Sequence, residues 1–540
     1  MRIALVAEGT YPVTTGGVST WCDQLVRGLP EHSWTVLGLT ATGRERPVWS
    51  MPPTVERVLL HPLWGPTPAP RWSRSTAARS REAQTALQEL WDAALAPDGE
   101  ESVQAADAAL RRLVEVAAAT RLSGLLAVQG STSALLRAWA ARCPDLPPMS
   151  VADAVAAASL VDRLLAAIDA PLPPVDLVHA AGNGTAALVA LVARWRHGTP
   201  FLLSEHGVYL RERYLALREA RYSWAERRAV TAAVRRLCEV AYREAEHVVP
   251  VSDFNRRWEQ RLGVDPERVT TIPNGVPPEL FSPVEGEPEA PTISFVGRID
   301  PLKDLHTLVR AFAVVHARMP EARLRIFGPV PLGDERYRDS VVSLVSELGL
   351  QRVATLEGAV ASSRTAIAAG QVVAMSSISE GLPFTLIEAM MCGRPTVSTD
   401  VGGVPECLDP ERTAGSLVPA RNPEAFAEAC LELLADPARR RAMGAAARRH
   451  ALATATADRT LAAYRGLYLE ASRAVVAADV AADVVGAGVL PLASALPAGL
   501  PLDSVPAQPG PVPRPSPVLD LRADDETPLD LREDDEAVVR

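Results

Sequence analysis

Two glutamates on either side of a helix start form the most informative segment of the sequence, Ser379-Glu-Gly-Leu-Pro-Phe-Thr-Leu-Ile-Glu-Ala-Met390. The apolar run 372–376 before it predicts a buried strand, which places Glu380 in the following turn and Glu388 about two helical turns further on. Both carboxylates can then face the crevice at the strand ends, where the free N–H groups of the helix start can bind an anion. This arrangement suits a ligand with sugar hydroxyls at one end, a pyrophosphate in the middle and a ribose at the other end.

Two cations follow another predicted strand, 292–296, in the stretch Gly297-Arg-Ile-Asp-Pro-Leu-Lys303. Arg298 and Lys303 lie at the edge of the sheet where a pyrophosphate would need them. A glycine-containing loop, 400–406, allows close backbone approach on the far side. Taken alone, Arg298 and Lys303 are equally well interpreted as surface charges.

A glycine pair, Gly16-Gly17, follows the first predicted strand, 2–7. The loop lacks the Lys and Ser/Thr of a Walker loop, so it is not a self-contained phosphate cradle. It is either an ordinary turn or the part of a two-domain site that brings backbone N–H groups to a diphosphate when the domains close.

The elements that must position these residues alternate between short apolar runs and longer helical segments, a pattern typical of parallel sheets covered by helices. The sequence predicts an α/β fold with two Rossmann-like domains, 1–285 and 291–454, and a helical insertion at about 66–174 in the first. The other predicted strands are 34–39, 175–179, 200–203, 247–251 and 269–272 in the first domain, and 323–327, 353–356 and 396–398 in the second.

The C-terminal region is predicted to consist of a helix and a tail. Residues 455–473 form a helix expected to pack back toward the N-terminal domain, and residues 474–540 an Ala/Pro-rich acidic tail expected to be disordered. The tail ends in a near repeat, 519–526 and 529–536, for which a solvated acidic segment is preferred over a docking motif.

Composition excludes several classes of protein. The net charge is −10, and the tail, with twelve Asp/Glu and four Arg, carries −8 of it, which argues against a nucleic-acid partner. The six cysteines form no CxxC pair, so we expect a reducing compartment and no structural zinc. The first apolar run is too short for a signal peptide, and prolines interrupt the uncharged run 484–502. We therefore expect a cytoplasmic protein, and association with a membrane-bound partner stays open.

The complete set of residues resembles the retaining nucleotide-sugar glycosyltransferases of family 4, which have the two-domain GT-B fold. The resemblance covers roughly residues 1–470 and rests first on Gly16-Gly17, Arg298, Lys303, Glu380 and Glu388. The N-terminal half is most similar to the PelF-type enzymes of exopolysaccharide clusters, through Glu8-Gly-Thr-Tyr-Pro with the stretch 16–23, Ser204-Glu-His-Gly-Val-Tyr-Leu-Arg-Glu-Arg213, and the pair 251–255 and 272–276.

The resemblance implies a role for each of these residues. Arg298 and Lys303 would bind the donor phosphates, Glu388 the ribose and Glu380 the transferred sugar, while His206 would lie near the sugar and the leaving phosphate. The implied catalytic residues are His206, Arg298, Lys303 and Glu380, and the implied donor-binding residues are Gly16, Gly17, Arg298, Lys303, Gly381, Leu382, Phe384, Thr385, Leu386 and Glu388. No DxD motif follows a predicted strand, and the GT-B class also leads us to expect no obligatory metal and no cofactor besides the nucleotide sugar.

Simpler interpretations compete at single positions. Glu388 lies inside the apolar run 386–390, where an unpaired carboxylate would be costly, and this favours function. His206 on its own is better interpreted as a core histidine. Tyr209, Arg211 and Arg213 could line an acceptor groove, but a helix with a solvated basic face is the preferred interpretation.

The sequence thus predicts a hexosyltransferase that moves a sugar from a UDP-sugar donor to a saccharide acceptor in exopolysaccharide biosynthesis, with membrane-bound polysaccharide synthesis partners as a further hypothesis. One alternative is a nucleotide-sugar epimerase of the same fold, although Glu380 has no convincing acid/base partner besides His206. Another is a catalytically silent scaffold that binds nucleotide sugar and recruits partners through its tail.

Overall fold

Short, buried apolar runs form two sheets, each of six parallel strands, in the computed structural model of the protein. The structure describes residues 1–64, 74–126, 128–219 and 222–486. The strands are β1 Arg2–Glu8, β2 Ser33–Thr40, β3 Val55–Pro62, β4 Leu177–Ala180, β5 Phe201–Glu205, β6 His247–Pro250, β7 Thr292–Val296, β8 Arg323–Phe327, β9 Ala354–Gly358, β10 Val372–Met375, β11 Thr396–Thr399 and β12 Ser416–Val418. The first domain contains β1–β6 and the second contains β7–β12.

Helices separate most consecutive strands, as parallel pairing requires. They are α1 Gly17–Gly28, α2 Arg74–Ala94, α3 Glu100–Ala117, α4 Leu122–Leu125, α5 Val128–Arg142, α6 Val151–Leu165, α7 Thr185–His197, α8 Tyr209–Glu219, α9 Trp224–Glu244, α10 Asp253–Arg261, α11 Leu305–Arg318, α12 Glu335–Glu347, α13 Ser363–Ala368, α14 Phe384–Met391, α15 Pro423–Ala435, α16 Pro437–Thr454 and α17 Ala457–Gly486.

The strand order fixes where each sheet can hold a ligand. The first sheet has the order β3-β2-β1-β4-β5-β6 and the second the order β12-β11-β10-β7-β8-β9. The direction of the chain across the sheet therefore reverses between β1 and β4 and again between β7 and β10. Such a reversal opens a crevice at the carboxyl ends of the strands. The loops after β1, β4, β7 and β10 are consequently the ones that can build a site.

Helices α2–α6 lie in the chain between β3 and β4 and form the predicted helical insertion. They pack on one another and on α9, and they bury large apolar side chains such as Trp91, Leu113 and Trp139. Residues 65–73 of the predicted insertion lie outside the described residues.

Helix α17 returns to the first domain. The Tyr468 hydroxyl lies 2.6 Å from Nδ1 of His179, and the other ring nitrogen of His179 lies 2.7 Å from Oγ of Ser204. The Tyr464 hydroxyl lies 3.0 Å from the same Oγ. This buried network holds the helix that follows the second domain against β4 and β5 of the first.

Four element predictions need correction. The strands β3 and β12 were not predicted, and the segment 269–272, predicted as a strand, forms only one bridge, between Val269 and Val248. Helix α17 continues past residue 473 to Gly486, into the segment predicted as a disordered tail. Residues 487–540, which include the acidic near repeat, lie outside the described residues.

Candidate active site

An ion pair between Lys303 and Glu380 lies where the loops after β7 and β10 meet. The Nζ of Lys303 is 2.5 Å from Oε1 of Glu380, and the hydroxyl of Ser377 donates to the same oxygen at 2.6 Å. The two charged side chains are only 19% and 10% exposed. The pair is therefore largely shielded from solvent, and its hydrogen bonds hold both charges in place.

Lys303 is also unusual in its residue type. Of the 55 Lys and Arg residues in the chain, it is the only lysine. An ammonium is a compact point charge, whereas a guanidinium is a larger planar group. Position 303 is thus the one place in the chain where an ammonium, and not a guanidinium, supplies the positive charge.

Arg298 extends the positive charge of the same edge. Its guanidinium donates from Nε to Oδ2 of Asp300 at 3.0 Å, and the side chain is 53% exposed. Within the described ranges its terminal nitrogens have no hydrogen-bond partner, so they can bind an anionic ligand in the crevice.

Two helix N-termini approach each other across the crevice. Helix α1 begins at Gly17 and α14 at Phe384, and their N-caps, Gly16 and Pro383, have no side chain that could accept a hydrogen bond from the first turn. A Cβ atom on Gly17 would lie 3.2 Å from the ring of Phe384, and the φ of 152° at Gly16 favours glycine. Both helix starts carry unpaired N–H groups and partial positive charge, so a diphosphate could be bound from two sides.

The backbone around Glu380 is packed too tightly for side chains at the neighbouring glycines. A Cβ atom on Gly381 would lie 1.6 Å from the carbonyl oxygen of His206, and one on Gly402 would lie 1.8 Å from the carbonyl oxygen of Glu380. The first domain therefore touches this loop on one side, and the loop 400–406 supports it from the other.

The other predicted donor-binding residues lie at the start of α14. The side chains of Leu382, Phe384 and Leu386 are buried, and that of Thr385 is half-buried. The carbonyl of Leu382 accepts a hydrogen bond from Asn274 at 2.8 Å. Leu382 and Leu386 can therefore offer a ligand only their backbone groups.

His206 follows β5 and contacts Trp21 edge to face, with 4.6 Å between the ring centroids. Burial lowers the pKa of His206 to about 3, so the imidazole is neutral at pH 7. Its Nε2 atom is buried and has no hydrogen-bond partner among the described residues. A buried ring nitrogen without a partner is costly, which makes this atom a candidate for a ligand contact.

Glu388 lies in α14 on the other side of the helix start. Burial raises the pKa of Glu388 from its ordinary 4.5 to about 7, although a hydrogen bond with Ser363 opposes the rise. Among the described residues, no cationic side chain forms an ion pair with this carboxylate. A half-buried carboxylate without a cation is suited to accept hydrogen bonds from neutral hydroxyls, such as those of a ribose.

Comparisons with known proteins match both halves of the chain. Residues 290–436 match the family model described as glycosyl transferases group 1. Residues 1–267 match a domain of unknown function, DUF3492.

Curated relatives match part of the chain with about a third of the aligned residues identical. A D-inositol 3-phosphate glycosyltransferase of Kineococcus radiotolerans is 37% identical over 249 residues, which are 41% of this chain and 57% of that protein. A protein of the same name from Segniliparus rotundus is 33% identical over 220 residues, which are 38% of this chain and 49% of that protein. The chain thus spans about half the length of the curated relatives it matches.

Solved structures cover both domains. A sucrose-phosphate synthase of Thermosynechococcus elongatus matches with a TM-score of 0.59 at 20% identity, over 88% of this chain and 99% of that one. Anabaena HepE in complex with UDP and glucose matches with a TM-score of 0.55 at 16% identity, over 87% of this chain and 99% of that one. The predicted fold class, GT-B with two Rossmann-like domains, is confirmed by this agreement.

The structure brings several of the residues singled out from the sequence together. Lys303 pairs with Glu380, Gly381 packs against the carbonyl oxygen of His206, and Gly17 lies against the ring of Phe384. Gly16, Leu382, Thr385 and Leu386 adjoin these residues in the chain, Arg298 lies in the loop after β7, and Glu388 lies in α14 beside Ser363.

Contacts from α8 were missed at the sequence level. Arg211 donates a hydrogen bond to the hydroxyl of Ser379 in the second domain, and Arg213 donates to Oε1 of Glu8 at 2.6 Å. Glu8 ends β1 and also accepts from Thr185 at 2.6 Å. The interpretation of this helix as a solvated basic face is therefore wrong for both arginines. The cluster of Tyr209, Arg211 and Arg213 was the sequence pattern that could have indicated these contacts.

The part of the chain that the structure describes contains no group of three or more His, Cys, Asp or Glu side chains arranged to hold a metal ion. It also contains no helix that is both long and apolar enough to span a membrane.

Proposed function

We propose that the protein is a retaining glycosyltransferase of family 4 that transfers a sugar from a UDP-sugar to a saccharide acceptor. One observation carries the proposal. The only lysine of the chain is paired with Glu380 at the strand-order reversal of one domain, beside the meeting point of two uncapped helix N-termini, one from each domain.

The donor would lie along this crevice with its diphosphate beside the positive groups. Lys303, Arg298 and the N–H groups at Gly17 and Phe384 would balance the phosphate charge. The ribose hydroxyls would donate to Glu388, and Glu380 with the backbone after it would hold the transferred sugar. On this account, the positive groups that bind the donor also stabilise the leaving group.

The reaction breaks the bond between C1 of the sugar and the phosphate oxygen, and the electron pair of that bond goes to the leaving diphosphate. The acceptor hydroxyl attacks C1 from the same face, and its proton passes to the departing phosphate oxygen, so the configuration at C1 is retained. Charge grows on the diphosphate in the transition state, where Lys303 and Arg298 stabilise it. The neutral imidazole of His206 can form a hydrogen bond with the sugar through Nε2.

The finer assignments rest on the similarities. UDP as the carrier is supported by HepE, whose structures are described with UDP, with UDP and glucose, and with UDP-glucose. The PelF-type likeness supports a role in exopolysaccharide synthesis with membrane-bound partners, in the cytoplasm and without an obligatory metal. The names of the curated relatives make D-inositol 3-phosphate an alternative acceptor.

A donor panel tests the proposal. The protein is incubated with UDP- and GDP-sugars, and nucleotide release and sugar identity are followed. Lys303→Ala and Glu388→Ala are compared with Arg323→Ala and Glu101→Ala, which change exposed residues of the same charge outside the crevice. We expect release of UDP by the wild type and by both control variants, with severe loss in the two crevice variants.

Other outcomes separate the alternatives. An intact nucleotide sugar with an inverted centre would identify an epimerase, and saturable binding without turnover would identify a silent scaffold. Full activity of both Lys303→Ala and Glu388→Ala would contradict the site.

A further inference from the structure

The carboxylate of Glu212 lies on the wall of the crevice that the first domain contributes. Its Oε1 packs against the backbone of Gly207, only 1.9 Å from where a Cβ atom of that glycine would be. Gly207 directly follows His206, whose carbonyl oxygen touches Gly381. Glu212 is thus placed next to the loop that carries Glu380.

The charged groups around Glu212 come from both domains. Loss of hydration raises the pKa of Glu212. The positive charges of Arg298, Arg213 and Arg211 oppose this rise, and the negative charge of Glu380 adds to it. The residue nevertheless remains exposed to solvent. A ligand in the crevice can therefore reach this carboxylate.

No protein group satisfies this carboxylate. In the described part of the chain it accepts no hydrogen bond and forms no ion pair. The neighbouring arginines are already engaged: Arg211 donates to Ser379, and Arg213 donates to Glu8 with its guanidinium 4.8 Å from the ring centroid of Tyr209. Arg298 donates to Asp300. Glu212 therefore does not serve as a structural ion pair.

We propose that Glu212 forms an acceptor subsite that binds the hydroxyls of an uncharged saccharide and disfavours an acceptor that carries a phosphate or carboxylate at this position. The proposal deepens the proposed function and rests on it. A free carboxylate is a strong acceptor for sugar hydroxyls, whereas a second anion beside it would be repelled. On the proposed function the second domain would hold most of the donor, and Glu212 belongs to the first domain, from which the acceptor would approach.

The test pairs uncharged and charged acceptors of the same shape. Glucose, N-acetylglucosamine, their β-1,4-linked oligomers and myo-inositol are compared with the corresponding phosphate esters and uronates. UDP release is measured with and without each acceptor for the wild type, Glu212→Ala, Glu212→Gln and the control Glu101→Gln, an exposed glutamate on α3.

We expect the wild type to be stimulated by uncharged acceptors in preference to their charged counterparts. Glu212→Ala should lower kcat/KM for the uncharged acceptor by about 10- to 100-fold, the usual loss for a hydrogen bond to a charged group, mainly through KM. The ratio of acceptor-stimulated to acceptor-free UDP release should fall, because the substitution removes a contact with the acceptor. Glu212→Gln should reduce the ratio of kcat/KM for the uncharged acceptor to kcat/KM for its charged counterpart.

Three results would overturn this inference. The first is a preference of the wild type for the phosphorylated or carboxylated acceptors. The second is that no uncharged acceptor stimulates UDP release by the wild type. The third is an equal loss of acceptor-free UDP release and of transfer in Glu212→Ala. Failure of the proposed function looks different, because the wild type would then release no nucleotide from any sugar donor.

Discussion

Glu380 and Lys303 form a half-buried ion pair in which each charge compensates the other. The side chains are 2.5 Å apart and mostly shielded, so a neutral residue at either position leaves an uncompensated charge. An arginine at position 303 would keep the charge but would need more space than the ammonium has beside Glu380.

Lys303→Arg should therefore lower kcat by at least about tenfold with little change in folding, because the larger guanidinium cannot hold the same position. Steady-state kinetics and thermal unfolding measure the two effects. The reciprocal control, Arg323→Lys at an exposed position of β8, should be silent. Equal activity of Lys303→Arg and the wild type would show that any cation suffices.

The raised pKa of Glu388 makes the free energy of unfolding depend on pH. A pKa raised from 4.5 to about 7 means that the folded state holds this proton more firmly than the unfolded state does. The contribution of Glu388 to the free energy of unfolding is therefore fully present below about pH 4.5 and is lost as the pH rises toward 7.

Glu388→Gln, which stays neutral, should be more stable than the wild type at pH 8 by up to about 3 kcal/mol and nearly equal to it at pH 4.5. Urea unfolding at the two pH values measures the difference, and UDP binding should be weaker in the variant. A stability difference that does not change with pH would show that the carboxyl pKa is not raised.

The residues proposed for the site could be chosen from the sequence, whereas their contacts could not. Arg298, Lys303, Glu380 and Glu388 follow strands or helix starts, and such local patterns are visible along the chain. The hydrogen bond from Arg211 to Ser379 joins residues that are 168 positions apart, and no local pattern encodes such a pairing.

At the scale of elements, α1 and α14 meet through a glycine and an aromatic ring. Gly17→Val would place methyl groups where the ring of Phe384 lies, because even a Cβ atom would be 3.2 Å away. The substitution should force the two helix starts apart.

We expect Gly17→Val to impair turnover more than folding. The kcat should fall by about tenfold or more, since the N–H groups would no longer reach the diphosphate, while the melting temperature changes little. Gly99→Val is the matched control, because Gly99 is the N-cap of α3 and a Cβ atom there meets nothing within 4 Å. Unfolding of the Gly17 variant with loss of all structure would contradict the prediction.

The element predictions succeeded where a buried pattern is visible along the chain. Strands β7 and β8 match their predicted ranges: β7 is buried over most of its length, and β8 alternates Arg323 and Arg325 with the buried Leu324 and Ile326. Strand β3 lies at a sheet edge, is partly exposed and contains Glu56 and Arg57, so its pattern is weak. Strand β12 has only three residues. In both cases pairing with a neighbouring strand decides the structure, and pairing is not visible in a single segment.

At the scale of the whole molecule, α17 fastens the end of the second domain to the first. The hydroxyl of Tyr468 and Nδ1 of His179 are both buried. On the surface of the same helix, Arg465 pairs with Glu31 at 2.6 Å with both side chains over 40% exposed.

Tyr468→Phe should lower the free energy of unfolding by about 1–3 kcal/mol, because Nδ1 of His179 loses its partner in a buried site. Arg465→Ala should cost less than about 1 kcal/mol, since exposed ion pairs contribute little. Chemical denaturation compares the two. Equal effects of the two substitutions would mean that α17 is held by its surface and not by the buried network.

The most direct test of the central claim uses the single lysine. An amine-acylating reagent can modify only Lys303 and the α-amino group, so mass spectrometry can follow Lys303 by itself while the α-amino group serves as an internal standard. UDP should slow acylation of Lys303 in a saturable manner and leave the α-amino group unaffected. Acylation of Lys303 at the same rate with and without UDP, UDP-sugars and GDP-sugars would contradict its place in a nucleotide-sugar site.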